Sequence, residues 1–123
     1  MKITTFNPLI VTKDAENVIK LFEKLGFERR HSLDANTGKE DFTSVRMKNA
    51  DGFYVDVANV PVPQDMTLIR INVDDFDEAY KFLTERGFTN PRGDHTVDTK
   101  TNKSCMLRSP SGFAFDLCQH IKD

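Results

Sequence analysis

Asp14-Ala15-Glu16-Asn17-Val18-Ile19-Lys20-Leu21-Phe22-Glu23-Lys24-Leu25-Gly26-Phe27 is the stretch on which the fold turns, because the chain writes its pattern twice. The second copy runs Asp75-Phe76-Asp77-Glu78-Ala79-Tyr80-Lys81-Phe82-Leu83-Thr84-Glu85-Arg86-Gly87-Phe88. Asp14 meets Asp75, Lys20 meets Lys81, and Gly26-Phe27 meets Gly87-Phe88, each 61 positions on. Farther along, Gly52-Phe53 and Asp56 meet Gly112-Phe113 and Asp116 at an offset of 60, so one deletion in a loop reconciles the two registers. A repeat this long that occurs only twice reads as a duplicated half-domain, not a solenoid.

Each copy has the same local grammar. Residues 3–12 and 67–73 are short apolar stretches that end in a charged turn, which suits strands. In 15–25, Val18, Ile19, Leu21, Phe22 and Leu25 recur at helical spacing, and 76–86 repeats this with Phe76, Ala79, Tyr80, Phe82 and Leu83. Gly26 and Gly87 stand where a helix needs a left-handed terminating residue. Asn49-Ala50-Asp51-Gly52 and Ser109-Pro110-Ser111-Gly112 are turn chemistry between strand-like runs, and predict a hairpin in each half. Asn59 to Asp65, with Pro61 and Pro63, links the halves. The order is βαβββ twice, an α+β fold in a single domain over 1–123, with one module at about 1–60 and the other at about 65–121.

Composition narrows the function. The 123 residues are 38% apolar and 29% charged, with both signs interspersed and a net charge of −2. That is globular, and it gives a nucleic acid or an anionic membrane little to hold. Ten Phe against two Tyr and no Trp predict a core built on Phe. No apolar run fits a signal peptide or a membrane span. Cys105 and Cys118 are too few for a disulfide scaffold, so a reducing cytoplasm is the expected compartment.

With these residues in place, the chain resembles the glyoxalase/bleomycin-resistance (vicinal oxygen chelate) superfamily. Asp14 through Gly26-Phe27 is similar to that family's first helix and the "lGF" strand start after it. Arg108-Ser109-Pro110-Ser111-Gly112-Phe113-Ala114-Phe115-Asp116-Leu117 is similar to its closing "DPDG…EL" hairpin. The resemblance implies that the two modules form one curled mixed sheet, a cup, with the helices outside. It also implies where metal ligands stand in the family's enzymes: a His in the first strand of a half, and a Glu after the final hairpin. Those positions fall here on Asn7 and Asp56 in the first half, and on Leu68 and Asp116 in the second. Leu68 coordinates nothing and Asn7 offers only a neutral amide oxygen, so no bound transition metal and no other cofactor is expected. Oxygen-only ligation of Mg²⁺ or Ca²⁺ by Asp56, Asp116 and Asn7 is the alternative.

Strand alternation then selects what lines the cup. If Leu68 faces inward, so do Arg70 and Asn72, while Ile69, Ile71 and Val73 pack on the helix. The same parity turns Tyr54, Asp56 and Ala58 inward in the first half, and Ala114, Asp116 and Cys118 in the second. Arg70, Tyr54, Asp56, Asp116, Asn7 and Leu68 are therefore the expected ligand-binding residues, with Arg70 as polar anchor and Leu9 and Val11 as apolar wall. Arg70 equally serves to balance a buried carboxylate. In the simplest hairpin register Cys105 faces Asp116, where a carboxylate works against thiolate formation. Cys118 would then be its diagonal neighbour on one face, too far for an unstrained disulfide. His31 and His95 fall in polar, loop-like stretches and His120 in the C-terminal tail, none at metal-site spacing.

The resulting expectation is a metal-free protein that sequesters or carries a small organic molecule, as a homodimer. The rival is an enzyme of the same fold, lyase- or isomerase-like, working through acid/base side chains or a hard metal. A third reading is a subunit whose cup is filled by its own side chains and which serves as a partner surface.

Overall fold

The computed structural model describes residues 1–36, 41–93, 96–98 and 102–120. The first module is β1 (Ile3–Thr12), α1 (Ala15–Lys24), β2 (Glu28–Asn36), β3 (Asp41–Lys48) and β4 (Tyr54–Asn59). The second is β5 (Met66–Val73), α2 (Phe76–Thr84), β6 (Val97–Asp98), β7 (Asn102–Arg108) and β8 (Ala114–His120). The chain thus adopts the α+β class and the doubled βαβββ order expected from the repeat.

By compactness the chain divides into a unit of Asn7–Thr67 and a unit that joins Met1–Phe6 to the residues from Leu68 onward. β1 serves both. In the Asn7–Thr67 unit the hydrogen-bonded order is β2-β3-β4-β1. There β1 runs parallel to β4, with Leu9 opposite Asp56, and β3 is antiparallel to β4, with Arg46 opposite Asp56. In the other unit β5 runs parallel to β8, with Arg70 opposite Asp116, and β7 is antiparallel to β8, with Met106 opposite Asp116. The residues up to Phe6 belong to this unit through polar bonds to the end of β5 and to Asp74 just after it. Lys2 N donates to Asp74 Oδ1 at 2.6 Å, Asp74 N to the Lys2 carbonyl at 3.1 Å, and Thr4 Oγ1 to the Asn72 carbonyl at 3.2 Å.

Each helix buries one stripe on its own sheet. Ile19 closes over Val45, Met47, Val55 and Val57, with Val18, Phe22 and Phe27 around it. Phe76 and Ala79 close over Ile71, Val73, Cys105, Leu107 and Leu117, with Tyr80, Leu83, Phe88 and Phe115 around them. Leu21 and Leu25, expected on the buried face of α1, are instead 55% and 62% exposed. The stripe that meets the sheet is Ala15, Val18, Ile19 and Phe22, and Leu21 and Leu25 lie a residue's rotation away from it. Phe82, the counterpart of Leu21, is also exposed, but the Arg86 guanidinium lies 3.6 Å over its ring.

Gly26 and Gly87 end the helices at φ +100° and +93°, as the sequence predicts. In each, the amide of the following Phe reaches back five residues: Phe27 N donates to the Phe22 carbonyl at 2.9 Å, and Phe88 N to the Leu83 carbonyl at 3.1 Å. A Cβ on Gly87 would also stand 2.9 Å from Pro110 Cγ, so that position is doubly restricted.

The hairpins set the register of everything downstream. Asn49 N donates to the Phe53 carbonyl at 3.0 Å and Gly52 N to the Asn49 carbonyl at 3.2 Å; Ser109 N and Gly112 N repeat this at 2.7 and 3.1 Å. A tight turn followed by a left-handed glycine makes a three-residue loop, one residue longer than the simplest hairpin. Lys48 therefore sits opposite Tyr54, and Arg108 opposite Ala114.

Candidate functional site

In the Asn7–Thr67 unit, the face of β1, β3 and β4 turned away from α1 carries Asn7, Leu9 and Val11, then Ser44, Arg46 and Lys48, then Tyr54, Asp56 and Ala58. Residues of opposite parity, Val45, Met47, Val55 and Val57, form the core under the helix. Asp56 lies at the centre of this face, flanked by Leu9 and Arg46. Arg46 grips it side-on: Nε donates to Oδ1 at 2.9 Å and Nη2 to Oδ2 at 2.9 Å. Nη2 also reaches Asn7 Oδ1 at 3.5 Å. The Asp56 side chain is only 1% exposed, while that of Arg46 is 23% exposed. The carboxylate is thus fully desolvated and carries its counter-charge with it, the condition under which burial of a charge is tolerated. Toward the hairpin, Tyr54 is 40% exposed, with the Lys48 ammonium 5.3 Å and the Arg46 guanidinium 5.6 Å from its ring centre.

In the other unit, Leu68, Arg70 and Asn72 share the face that turns from α2, while Ile69, Ile71 and Val73 pack beneath it. Arg70 Nε donates to Asp116 Oδ2 at 2.7 Å, and the two side chains are 17% and 15% exposed. The Cys118 thiol approaches the same oxygen at 3.5 Å. Asn72 Nδ2 donates to Thr5 Oγ1.

The structure thus brings Arg70 together with Asp116, and Asn7, Tyr54 and Asp56 together around Arg46. Leu68, Leu9 and Val11 are buried side chains. Arg46 was missed by the sequence reading, although its signal was present: the Asn49–Gly52 turn fixes Lys48 opposite Tyr54, and two steps along the ladder Arg46 must face Asp56.

The cysteine placement needs correction. Cys105 pairs with Leu117, not Asp116, and lies in the core under α2, because the glycine-closed loop shifts the register by one residue. Cys118 pairs with Ser104 and keeps to the Asp116 face, so the two thiols point to opposite sides of the sheet and neither is in a disulfide. Burial, and secondarily the Asp116 charge, push the Cys105 thiol up to about 12. His31 lies within β2 instead of a loop, and His120 is the last residue of β8 instead of a tail. His95 lies outside the described residues.

The donor set does not fit the metal that many enzymes of this fold use. Both carboxylates already accept from a guanidinium at 2.7–2.9 Å, so a divalent cation on the same oxygens would stand beside a fixed positive charge. Among the described residues no group of three or more His, Cys, Asp or Glu stands close enough to hold a metal ion. The oxygen-only site of Asp56, Asp116 and Asn7 meets the same obstacle: Asn7 Oδ1 faces Arg46.

A doubled βαβββ order, with a carboxylate after the final hairpin of each half, defines the class. The sequence profile of the Glyoxalase/Bleomycin resistance protein/Dioxygenase superfamily matches residues 3–117, and the chain belongs to that superfamily. Among solved structures it is similar to a superfamily member from Vibrio splendidus 12B01, at 21% identity and a TM-score of 0.61, over 98% of this chain and 100% of that one. It is also similar to methylmalonyl-CoA epimerase from Mycobacterium tuberculosis, at 10% identity and a TM-score of 0.71, over 98% and 90% of the two chains. A glyoxalase I mutant from Zea mays matches at 13% identity and a TM-score of 0.67, over 98% of this chain but 44% of that one. At these identities the likeness carries the fold alone. No curated protein matches the chain. No helix among the described residues is long and apolar enough to cross a membrane.

Proposed function

We propose that this protein binds a small organic molecule without a resident metal, in the manner of a sequestration or carrier protein, with Arg70, Asp116, Asp56, Asn7, Tyr54 and Leu68 at the ligand. The observation that carries the reading is the guanidinium on each carboxylate, Arg46 on Asp56 and Arg70 on Asp116. An arginine there supplies a planar donor fork and removes the carboxylate as a metal ligand. Buried apolar neighbours such as Leu9, Val11 and Leu68 complete the combination typical of small-ligand sites, apolar wall with few polar anchors. The buried free thiols support a reducing compartment, the cytoplasm, and the working unit is a homodimer, the commonest symmetric assembly.

Native mass spectrometry of the purified full chain tests this directly. A co-purified small molecule, displaced saturably and returned unchanged, together with less than stoichiometric metal after dialysis, is the expected result. Chemical conversion of the molecule, or stoichiometric metal that survives dialysis, selects the enzyme instead. A mass of 14.1 kDa, that of one chain, at micromolar concentration would refute the dimer.

A further inference from the structure

We infer that the Lys48–Tyr54 corner of the Asn7–Thr67 unit is an anion subsite, which takes the carboxylate or phosphate of an organic ligand; this rests on the small-molecule reading above and gives it a charge. Four observations converge on the corner. Lys48 and Tyr54 are direct cross-strand partners, on the same face as Arg46 and Asp56. The Lys48 ammonium lies 5.3 Å from the ring centre of Tyr54, and among the described residues it forms no ion pair with a carboxylate. The Tyr54 hydroxyl makes no hydrogen bond there either, so one charged and one neutral donor stand side by side at the exposed end of the face. The two nearest carboxylates along the ladder face other cations: Glu28, opposite Lys48 on β2, lies 3.8 Å from Arg30 Nη2, and Asp56 is fully buried and gripped by two nitrogens of Arg46.

The chemistry that matches is an anion with oxygen acceptors on a flat apolar body. Its oxygens would accept from Lys48 Nζ and Tyr54 Oη, and its body would lie along the ring. A cation is disfavoured, because Lys48 and Arg46 both stand within 6 Å of the ring it would approach. The duplicated half supplies an internal control. Arg108 is the counterpart of Lys48 and is exposed, but its cross-strand partner is Ala114 where the first half has Tyr54. That position keeps the positive charge and lacks the phenol, so it tests charge alone.

The test is a titration of the full chain by NMR chemical shifts at low salt, with benzoate and phenyl phosphate as anionic probes and benzyl alcohol and benzylamine as neutral and cationic counterparts. Saturable shifts around Lys48 and Tyr54 with the anions, absent with the other two probes, are expected. Lys48→Met should weaken anion binding about tenfold or more, and Tyr54→Phe by a smaller factor, as befits loss of a charged and a neutral donor. Arg108→Met should leave it unchanged. Unchanged thermal melting of each variant shows that the loss is local. Equal binding of benzylamine, equal loss in Arg108→Met, or undiminished anion binding in Lys48→Met would each overturn the subsite. If a co-purified ligand binds Lys48→Met with undiminished affinity, the small-molecule function stands and only the subsite falls.

Discussion

In the first module Asp56 takes its guanidinium from Arg46 on β3, its antiparallel neighbour, and has Leu9 on its parallel side. In the second, Asp116 takes its guanidinium from Arg70 on β5, its parallel neighbour, and has Met106 on its antiparallel side. The duplicated positions correspond, Leu9 with Arg70 and Arg46 with Met106, so the arginine and the apolar residue have exchanged places across a fixed aspartate. The carboxylate is the constant and the direction of its counter-charge is the variable. Desolvation explains why: a carboxylate on a half-buried sheet face needs a fixed cation, and in a ladder either flanking strand puts a guanidinium within reach. The two solutions are not equally demanding. Asp56 is sealed, whereas Asp116 and Arg70 both keep some water contact.

The sharpest way to break this comparison is Arg46→Met, which gives the first module the residue its twin carries and takes the guanidinium from a sealed carboxylate. We expect a loss of about 3–5 kcal/mol in urea unfolding, the cost of removing one partner from a buried ion pair. If counter-charge direction is interchangeable, adding Leu9→Arg to Arg46→Met, the arrangement of the second module, should recover a substantial part of that loss. A double variant no more stable than Arg46→Met would show that the exchange is not free and that each module is adapted to its own arginine.

Arg70→Met should cost less, about 1–3 kcal/mol, the range for a buried polar group that loses a hydrogen-bond partner, at a pair that water still reaches. Its second readout is ligand affinity. An anchoring Arg70 loses affinity for the co-purified molecule when replaced, with the stability loss near the low end of the range. A stability loss as large as at Arg46, with affinity unaltered, would leave Arg70 as scaffold.

The fold was legible because helix, glycine stop and hairpin repeat in order, and each rests on local chemistry: the apolar stripe, the left-handed glycine, the turn residues. The face on which each candidate residue lies was legible too, since parity along β4, β5 and β8 follows from alternation alone. Register across strands was harder. The left-handed glycine that closes Ser109–Gly112 adds one residue to the loop, and that single step moved Cys105 from the Asp116 face to the core. Arg46 escaped notice for a different reason: its importance lies in a pairing with Asp56 ten residues away in sequence, visible only once the hairpin register is fixed. The exposure of Leu21 and Leu25 was out of reach, because an apolar pattern at helical spacing does not say how wide a stripe the sheet will cover.

The smallest expected effect contrasts the cores of the two modules. Cys105 lies in the core under α2 where its counterpart Val45 lies in the core under α1, so the second module carries one titratable group that the first lacks. Burial and the Asp116 charge raise the Cys105 thiol from 9.0 to about 12, so between those values the unfolded chain has lost its proton and the folded chain still holds it. The folded state then binds more protons than the unfolded state, and linkage makes stability fall as pH rises from about 9 toward 12. Near pH 10 the loss amounts to about 1 kcal/mol, since only the lower end of the window has been crossed. Lysines and tyrosines titrate in the same region, so the quantity to measure is the difference in urea midpoint between the protein and Cys105→Val, which installs the residue of the first module. That difference should shift in favour of the valine variant as pH is raised from 8 to 10. Parallel midpoints over this range would show that Cys105 ionises as readily in the folded chain as in the unfolded one, and that the core under α2 is less sealed than the core under α1.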